Sequence, residues 1–264
     1  LREAALGLCY PLVLKPCSER ASRGVSIVND EAALAAAVAQ TAAYGSTMLL
    51  EERLHGSEHS AEVVFDATGA VYHFHMCDRF FSYKDGIPLE LGHINPTRLS
   101  GAQQDDVCAM LVKSATALGV SIGSWKCDVI MTAEGPKILE VAARCSGGFD
   151  AQVSYPRSSG DNLLRRVIQV ACGMPPTRQP ALPQDRFCAI AAILSPKAGV
   201  VERLPDLGGE VLWMIQPGSH VHPPRHNAER VGFVVVEGTI YGETWEVASQ
   251  LATDYVSALA EATH

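Results

Sequence analysis

Three stretches of this sequence combine residue types that could hold a phosphorylated ligand and act on it. The first ends an apolar run (YPLVLK) with Lys15 and continues through a polar loop to Ser22-Arg23-Gly24-Val25. An ammonium at a strand end, with hydroxyls and a glycine behind it, can cradle phosphate oxygens through the side chain and through backbone N–H groups. It is not a Walker loop, because G-x-x-x-x-G-K-[ST] is absent. The second stretch is Glu51-Glu52-Arg53-Leu54-His55-Gly56-Ser57-Glu58. It reads either as a charged, guarded sheet edge or as a hinge whose backbone pairs with a purine and whose Glu58 grips ribose hydroxyls. The third is the pair Asp128 and Glu140, flanking the turn 132–136. In a hairpin their even separation puts both carboxylates on one face. Like charges there repel unless a cation lies between them, and Mg²⁺ takes one or two carboxylates together with phosphate oxygens. Arg144 follows Glu140 by four residues and so shares its face if the strand continues. Ser146-Gly147-Gly148 then offers a backbone that a ligand can approach closely.

The elements that must position these residues follow from pattern. Residues 10–15 and 24–28 read as strands, 30–43 as an alanine-rich helix opening on Asn29-Asp30-Glu31, and 47–54 as a strand running to an exposed edge. Residues 58–65 and 69–76 form a hairpin across Asp66-Ala67-Thr68-Gly69. The stretch 78–95 reads as a long irregular loop of the kind that often carries function. A helix spans 103–118, and strands 124–131 and 137–143 form a second hairpin. Residues 160–172 read as a helix stopped by Gly173. The four prolines of 175–183 mark a linker, and 187–264 reads as strands around two turns, then a helix from about Thr244. Residues 1–6 look like the tail of a helix, as if the chain were a fragment or a processed product.

Composition narrows the classes. The chain has 264 residues, 47% hydrophobic and 19% charged, enough for a packed core. Its net charge of −8 argues against a general nucleic-acid or anionic-membrane surface. No apolar run approaches the roughly 18 residues of a membrane span, and no leader pattern opens the chain, so a cytoplasmic location is expected. The eight cysteines form no C-x-x-C pair and read as reduced, buried thiols. His73-x-His75 and His220-x-His222-Pro-Pro-Arg-x-His226 are read as structural or loop histidines rather than metal sites, and Lys84-Asp85-Gly86 as a turn or a substrate lid. There is no G-x-S-x-G elbow, no defensible Ser/His/Asp order, and no G-x-G-x-x-G fingerprint.

Taken in order, these stretches resemble the ATP-grasp superfamily over residues 8–172. YPLVLKP…SRGVSIV is similar to its phosphate strand and loop, LLEERLHGSEHSAEVV to its adenine hinge and ribose segment, and GPKILEVAARCSGG to its metal-binding strand, E-x-N-x-R-x-G-G. Within it, Glu90-Leu91-Gly92-His93 and the tail SPKAGVVERLPDL…VHPPRHNAERVGF resemble the carboxylate–amine ligase branch of L-amino-acid ligases and carnosine-synthase-like enzymes. The resemblance implies an α+β (mixed α/β) ATP-grasp fold, two lobes clasping the nucleotide, with a C-terminal β-rich lobe. The implied boundaries are 1–56, 57–174, a linker 175–185, and 186–264. It implies ATP and Mg²⁺ (or Mn²⁺), transfer of the γ-phosphoryl group to a carboxylate, and attack by an amine on the acylphosphate.

By the same resemblance Lys15, Ser22 and Gly24 would meet phosphates, Glu51, Glu52 and Leu54 adenine, and Glu58 ribose. Asp128 and Glu140 would hold the metal. Arg144 would steady the acylphosphate, and Glu90, His93 and Gly147 would contact substrate. Two departures stand out: Ala142 replaces the metal-strand Asn, and Asp128 replaces a longer Glu. The resemblance further implies an N-terminal domain or a partner chain completing the unit, small-molecule substrates rather than nucleic acid or membrane, and a fold compatible with a homo-oligomer. The rival readings are a biotin-carboxylase-like or purine-pathway carboxylating enzyme and a non-catalytic nucleotide-binding module.

Overall fold

The computed structural model describes residues 7–83, 86–175, 177 and 185–264. Two antiparallel sheets organise it. The first contains β1 (Leu12–Pro16), β2 (Ser26–Val28) and β3 (Met48–Glu52), with β1 in the middle. Helix α1 (Glu31–Ala42) covers one side, and the Asp30 side chain caps it by accepting from the Ala33 N–H. Such a cap contributes about 1 kcal/mol. Leu34 and Ala37 of α1 pack on Leu12, Leu14 and Val28, a core of only five buried apolar residues.

The second sheet has eight strands. In chain order they are β4 (Ser57–Phe65), β5 (Val71–Ser82), β6 (Leu89–Asn95), β7 (Gly123–Thr132), β8 (Gly135–Ala142), β9 (Phe187–Ile193), β11 (Glu210–Trp213) and β13 (Gly232–Gly238). Their spatial order is β11-β13-β9-β6-β5-β4-β7-β8. Strands β10 (Gly199–Val200) and β12 (His220–Val221) form a separate short ribbon. Alternation along β4 decides the faces. Ala61, Val63 and Phe65 point at Val107, Leu111 and Ala115 of α2 (Gly101–Ala117). Farther along that face, Ala248, Ala252 and Leu259 of α5 (Tyr241–Glu261) pack on Ala189, Ala191 and Val234. Ser100 and Gln103 close the start of α2 with a reciprocal capping box.

The other face of β4 carries Glu58, Ser60, Glu62 and Val64. It is covered at one end by a π-helical turn (Asp150–Ser154), α3 (Tyr155–Ser159) and α4 (Leu163–Ala171), which pack on Val64 and around Cys188 and Ile190. The remainder is open, and there the polar side chains gather.

The structure corrects several sequence expectations. The stretch 78–95 is not an irregular loop: β5 runs on to Ser82, and β6 begins at Leu89. A bulge between Phe80 and Phe81 breaks the two-residue period that sequence alone could follow. Gly92 is required there, since a Cβ would lie 2.1 Å from the Ile190 carbonyl oxygen of β9. The helix expected over 160–172 begins at Leu163, because Gly160, left-handed at φ +76°, closes the short α3 and Asn162 caps the new start. The C-terminal segment is β-rich as expected, and its strands continue the second sheet, with β9 pairing directly to β6. All eight cysteines are free thiols, but Cys9, Cys17 and Cys172 are exposed rather than buried. Residues 1–6, Lys84-Asp85 and most of the proline segment lie outside the described residues. Among the described residues no helix is long and apolar enough to cross a membrane.

Candidate functional site

The first sheet and the β7–β8 end of the second face each other across a cleft. Lys15, Ser22, Glu51, Glu52 and Leu54 line it from one side, and Glu58, Asp128 and Glu140 from the other. Between them lie apolar walls that include Val13, Ile27, Ile130 and Ile138. An apolar slot with a few placed polar groups is the form of a small-molecule site. Lys15 spans the cleft: its Nζ donates to the Leu139 carbonyl oxygen at 3.1 Å and forms an ion pair with Glu51. Glu51 therefore meets Lys15 with its side chain in this state. Burial pushes the Glu58 carboxyl up to about 7 against the pull of Arg79, with Asp128 and Glu90 adding to the rise. Gly24 does not line the cleft. Its φ of +69° shapes the loop behind Ser22, and a Cβ there would sit 2.6 Å from the Tyr44 ring.

A second cleft opens on the polar face and shares Ser22, Arg79, Asp128 and Glu140 with the first. Its floor is a run of alternating charges. Arg79 Nη1 lies 2.7 Å from Asp128 and Arg79 Nε donates to Glu90 at 3.0 Å. Lys126 Nζ lies 2.5 Å from Asp128, and Arg230 Nη1 is 3.2 Å from the other Glu90 oxygen. Burial alone would raise the Glu90 carboxyl, but Arg79 and Arg230 hold it far below the usual carboxylate range. Asp128 is held down in the same way by Arg79 and Lys126, against the same burial. Both oxygens of Glu90 thus already meet an arginine, and Glu90 lines the cleft between them.

Asp128 and Glu140 stand directly opposite each other on β7 and β8, as the hairpin parity requires. Their repulsion is already offset at Asp128 by Arg79 and Lys126, so it does not by itself demand a metal. Glu140 is exposed and forms no ion pair among the described residues. One free carboxylate beside a second suits Mg²⁺, which completes its shell with phosphate oxygens and water. No group of three or more His, Cys, Asp or Glu side chains converges as a metal cage among the described residues. Ala142 sits opposite Lys126.

Strand β8 ends at Ala142, so the face-sharing argument does not extend to Arg144. A bend instead brings Arg144, exposed, to the wall of the second cleft, where its Nη1 donates to the Cys145 carbonyl oxygen. Gly147 lines the same cleft. The loop carrying them is tied from below by the fully buried Glu62, which accepts from the Ser146 N–H at 2.8 Å and from the Ser124 hydroxyl. His93 lines the cleft floor, with its Nε2 2.9 Å from Ser154 Oγ, and burial lowers its pKa.

His73 and His75 stack near Tyr155, and burial drives His73 down to about 3. His222 and His226 both approach Glu229, as a polar loop.

Sequence reasoning missed Arg79, Lys126, Arg230, Asn227 and Glu62. Arg79 was within reach, since β5 continues the alternation of His73, His75 and Cys77. Arg230 and Asn227 carried no signal, being about 140 residues from Glu90 in the chain. Asn227 joins the Ser22 loop to the second cleft: its Nδ2 donates to Ser22 Oγ at 2.9 Å, and its Oδ1 accepts from the Glu90 N–H at 2.8 Å.

Comparison with known proteins accords with this geometry. A family model described as an ATP-grasp domain matches residues 8–152. Dapdiamide A synthase of Enterobacter agglomerans is 26% identical over 209 residues, 75% of this chain and 49% of that protein. A D-alanine–D-alanine ligase of Geotalea uraniireducens is 34% identical over 179 residues, 64% of this chain and 56% of that one. The chain thus spans about half the length of these relatives. Among solved structures, an L-amino acid ligase from Bacillus licheniformis superposes with a TM-score of 0.78 at 22% identity, over 96% of this chain and 66% of that one. With more than half of its residues matched by the family model, and with the fold of a solved ligase, the chain belongs to the ATP-grasp family.

Proposed function

We propose that this protein is an ATP-dependent ligase that activates a small carboxylate as an acylphosphate and joins it to an amine. The observation that carries the reading is the seam between the two clefts: Asp128 and Glu140 line both. A nucleotide lying in the apolar cleft would present its terminal phosphate at that seam, facing a second cleft walled by cations. The names of the relatives, a synthase and ligases, support the same reaction class.

In this reading Glu52 and Leu54 meet adenine through backbone groups and Glu58 accepts from ribose hydroxyls. Lys15 leaves Glu51 for the phosphates, freeing that carboxylate for the adenine amino group, while Ser22 and the loop shaped by Gly24 close over the phosphates. Asp128 and Glu140 would hold Mg²⁺, which when bound neutralises phosphate charge. A carboxylate oxygen of the substrate attacks the γ-phosphorus and ADP leaves. The amine then attacks the acyl carbon and phosphate leaves. Phosphoryl transfer of this kind needs positioning and charge neutralisation more than covalent protein chemistry. Arg144 supplies a planar guanidinium for the acylphosphate oxygens, and Glu90 fixes Arg79 and Arg230 beside the substrate. His93 and Gly147 shape the rest of the pocket.

The test is Mg²⁺-dependent ADP release on adding a carboxylate and an amino acid, with the acylphosphate trapped by hydroxylamine. Glu140→Gln should lower turnover about 100-fold or more with the fold intact, the scale of losing one charge-stabilising group. Unchanged turnover at saturating Mg²⁺ would remove the metal assignment. Bicarbonate serving as the only acid that supports ADP release would favour the carboxylating reading. No acylphosphate with any carboxylate offered would favour a non-catalytic module.

A further inference from the structure

On the helix-covered face of the second sheet, Ser57, His59 and Asp78 form a chain of two hydrogen bonds. Ser57 and His59 are two residues apart on β4 and so share a face. Asp78 on β5 stands directly opposite His59. Ser57 Oγ is 2.7 Å from His59 Nε2, and His59 Nδ1 is 2.8 Å from Asp78 Oδ1. The carboxyl of Asp78 fixes the tautomer. Burial alone would raise its pKa, but bonds from His59, Thr97, Tyr241 and the Arg98 N–H outweigh that and keep it ionised. An ionised carboxylate only accepts, so Nδ1 carries the proton, and in the neutral ring Nε2 offers its lone pair to the Ser57 hydroxyl.

That is the resting arrangement of a serine nucleophile beside its general base, the base held by a third group. The pattern of burial suits it as well. Ser57 is exposed, whereas His59 is 3% and Asp78 8% accessible. A purely structural role accounts for Asp78, which ties β4, the 97–98 segment and Tyr241 of α5 together. It does not account for an exposed serine bonded to the free nitrogen of a buried imidazole. A cleft opens over Ser57, with Phe80, Leu99, Tyr241 and Arg98 among its lining residues, and it adjoins the first cleft through Glu58, Arg79, Phe81 and Tyr83. Arg98 is exposed, lies over the Tyr241 ring at 4.7 Å, and has no ion pair among the described residues.

We propose that Ser57, His59 and Asp78 form a second catalytic site, on the face of β4 opposite to Glu58, that hydrolyses small carboxylic esters with an apolar acyl group. Ser57 Oγ attacks the ester carbonyl as its proton passes to His59 Nε2. The new Oγ–C bond forms, the C–O bond of the ester breaks, and the proton goes to the departing alkoxide. Water, deprotonated by His59, then releases the acid and restores Ser57. The net reaction is ester plus water to acid plus alcohol, with no other reactant. Ser57 and His59 are the catalytic residues, Asp78 is the positioning residue, and Arg98 is the cation on the lining of the same cleft.

The experiment treats the protein with a fluorophosphonate, maps the adduct by mass spectrometry, and follows hydrolysis of p-nitrophenyl butyrate. The expected result is phosphonylation of Ser57 at least 100-fold faster than of any other exposed serine. Ester turnover should be lost in Ser57→Ala and reduced 100-fold or more in His59→Gln. Ser57→Ala changes a surface side chain, so it keeps the test open if the buried His59 variant fails to fold. The absence of a Ser57 adduct, or equal ester turnover in the protein and in identically purified Ser57→Ala, would overturn the proposal.

Discussion

The two clefts that meet at Asp128 and Glu140 are built on opposite principles. The first cleft, proposed above for the nucleotide, is mostly apolar, and its Lys15–Glu51 ion pair is about a quarter to a third exposed. The second cleft is floored by Arg79, Glu90, Asp128, Lys126 and Arg230, nearly buried and each committed to a partner. A loose pair can open to admit an anion, whereas a closed network holds its charges in place. The difference teaches that charge density alone does not mark a binding residue. What matters is whether solvent or a protein partner already satisfies the charge.

The sharpest break of this contrast is Arg79→Met, which strands Asp128 and Glu90 with one cation each. Stability measured by denaturant unfolding should fall by about 3 kcal/mol, the low end for removing one partner of a buried pair. The matching Lys15→Met should cost under about 1 kcal/mol, because its pair is partly exposed. Equal losses would erase the distinction between the clefts. At the seam, Arg144→Lys should keep nucleotide affinity within a few-fold and lower turnover about 100-fold, since an ammonium cannot bind two oxygens in a plane. Turnover at the unsubstituted rate would take Arg144 out of the chemistry.

Glu58 gives the contrast a pH signature. Its carboxyl titrates near 7 in the folded protein, against 4.5 as the ordinary value. Between those values the folded state holds a proton that the unfolded state has lost, so stability falls as pH rises through that window. The drop is on the order of 2 kcal/mol, and Glu58→Gln should flatten it in melts taken from pH 4.5 to 8. The smallest effect is dynamic. The first sheet rests on five buried apolar residues, so it should open at lower free energy than the second. Hydrogen exchange over 25–34 should slow by a few-fold on adding a non-hydrolysable ATP analogue with Mg²⁺. Unaltered exchange with binding verified independently would count against closure of that sheet over the nucleotide.

Much of the first cleft was legible because its parts are local. Lys15 lies at the end of a strand, Ser22 in the loop after it, and Glu58 follows the Gly56 turn, all within short-range pattern. The Asp128–Glu140 register was readable for the same reason: a single hairpin fixes the parity of both strands. The capped helices α1 and α2 were readable from their start signals, Asp30 and the apolar spacing after Ser100. Parity failed where local geometry changed, at the Phe80/Phe81 bulge and beyond Ala142, where β8 stops short of Arg144.

What the tertiary structure alone decided is which charges are already satisfied. Glu90 looked free in sequence, yet Arg79 from a neighbouring strand and Arg230 from far along the chain take both its oxygens. Asn227 reaches back to Ser22 across 205 positions. Ser57 and His59 are adjacent in the sequence pattern, but nothing local shows that Asp78 stands opposite, because that partner is set by the pairing of β4 with β5. Residue type and period determine the elements and the faces they present. Which side chains meet across strands and segments depends on sheet order, and sheet order is set by long-range burial that no short window of sequence contains.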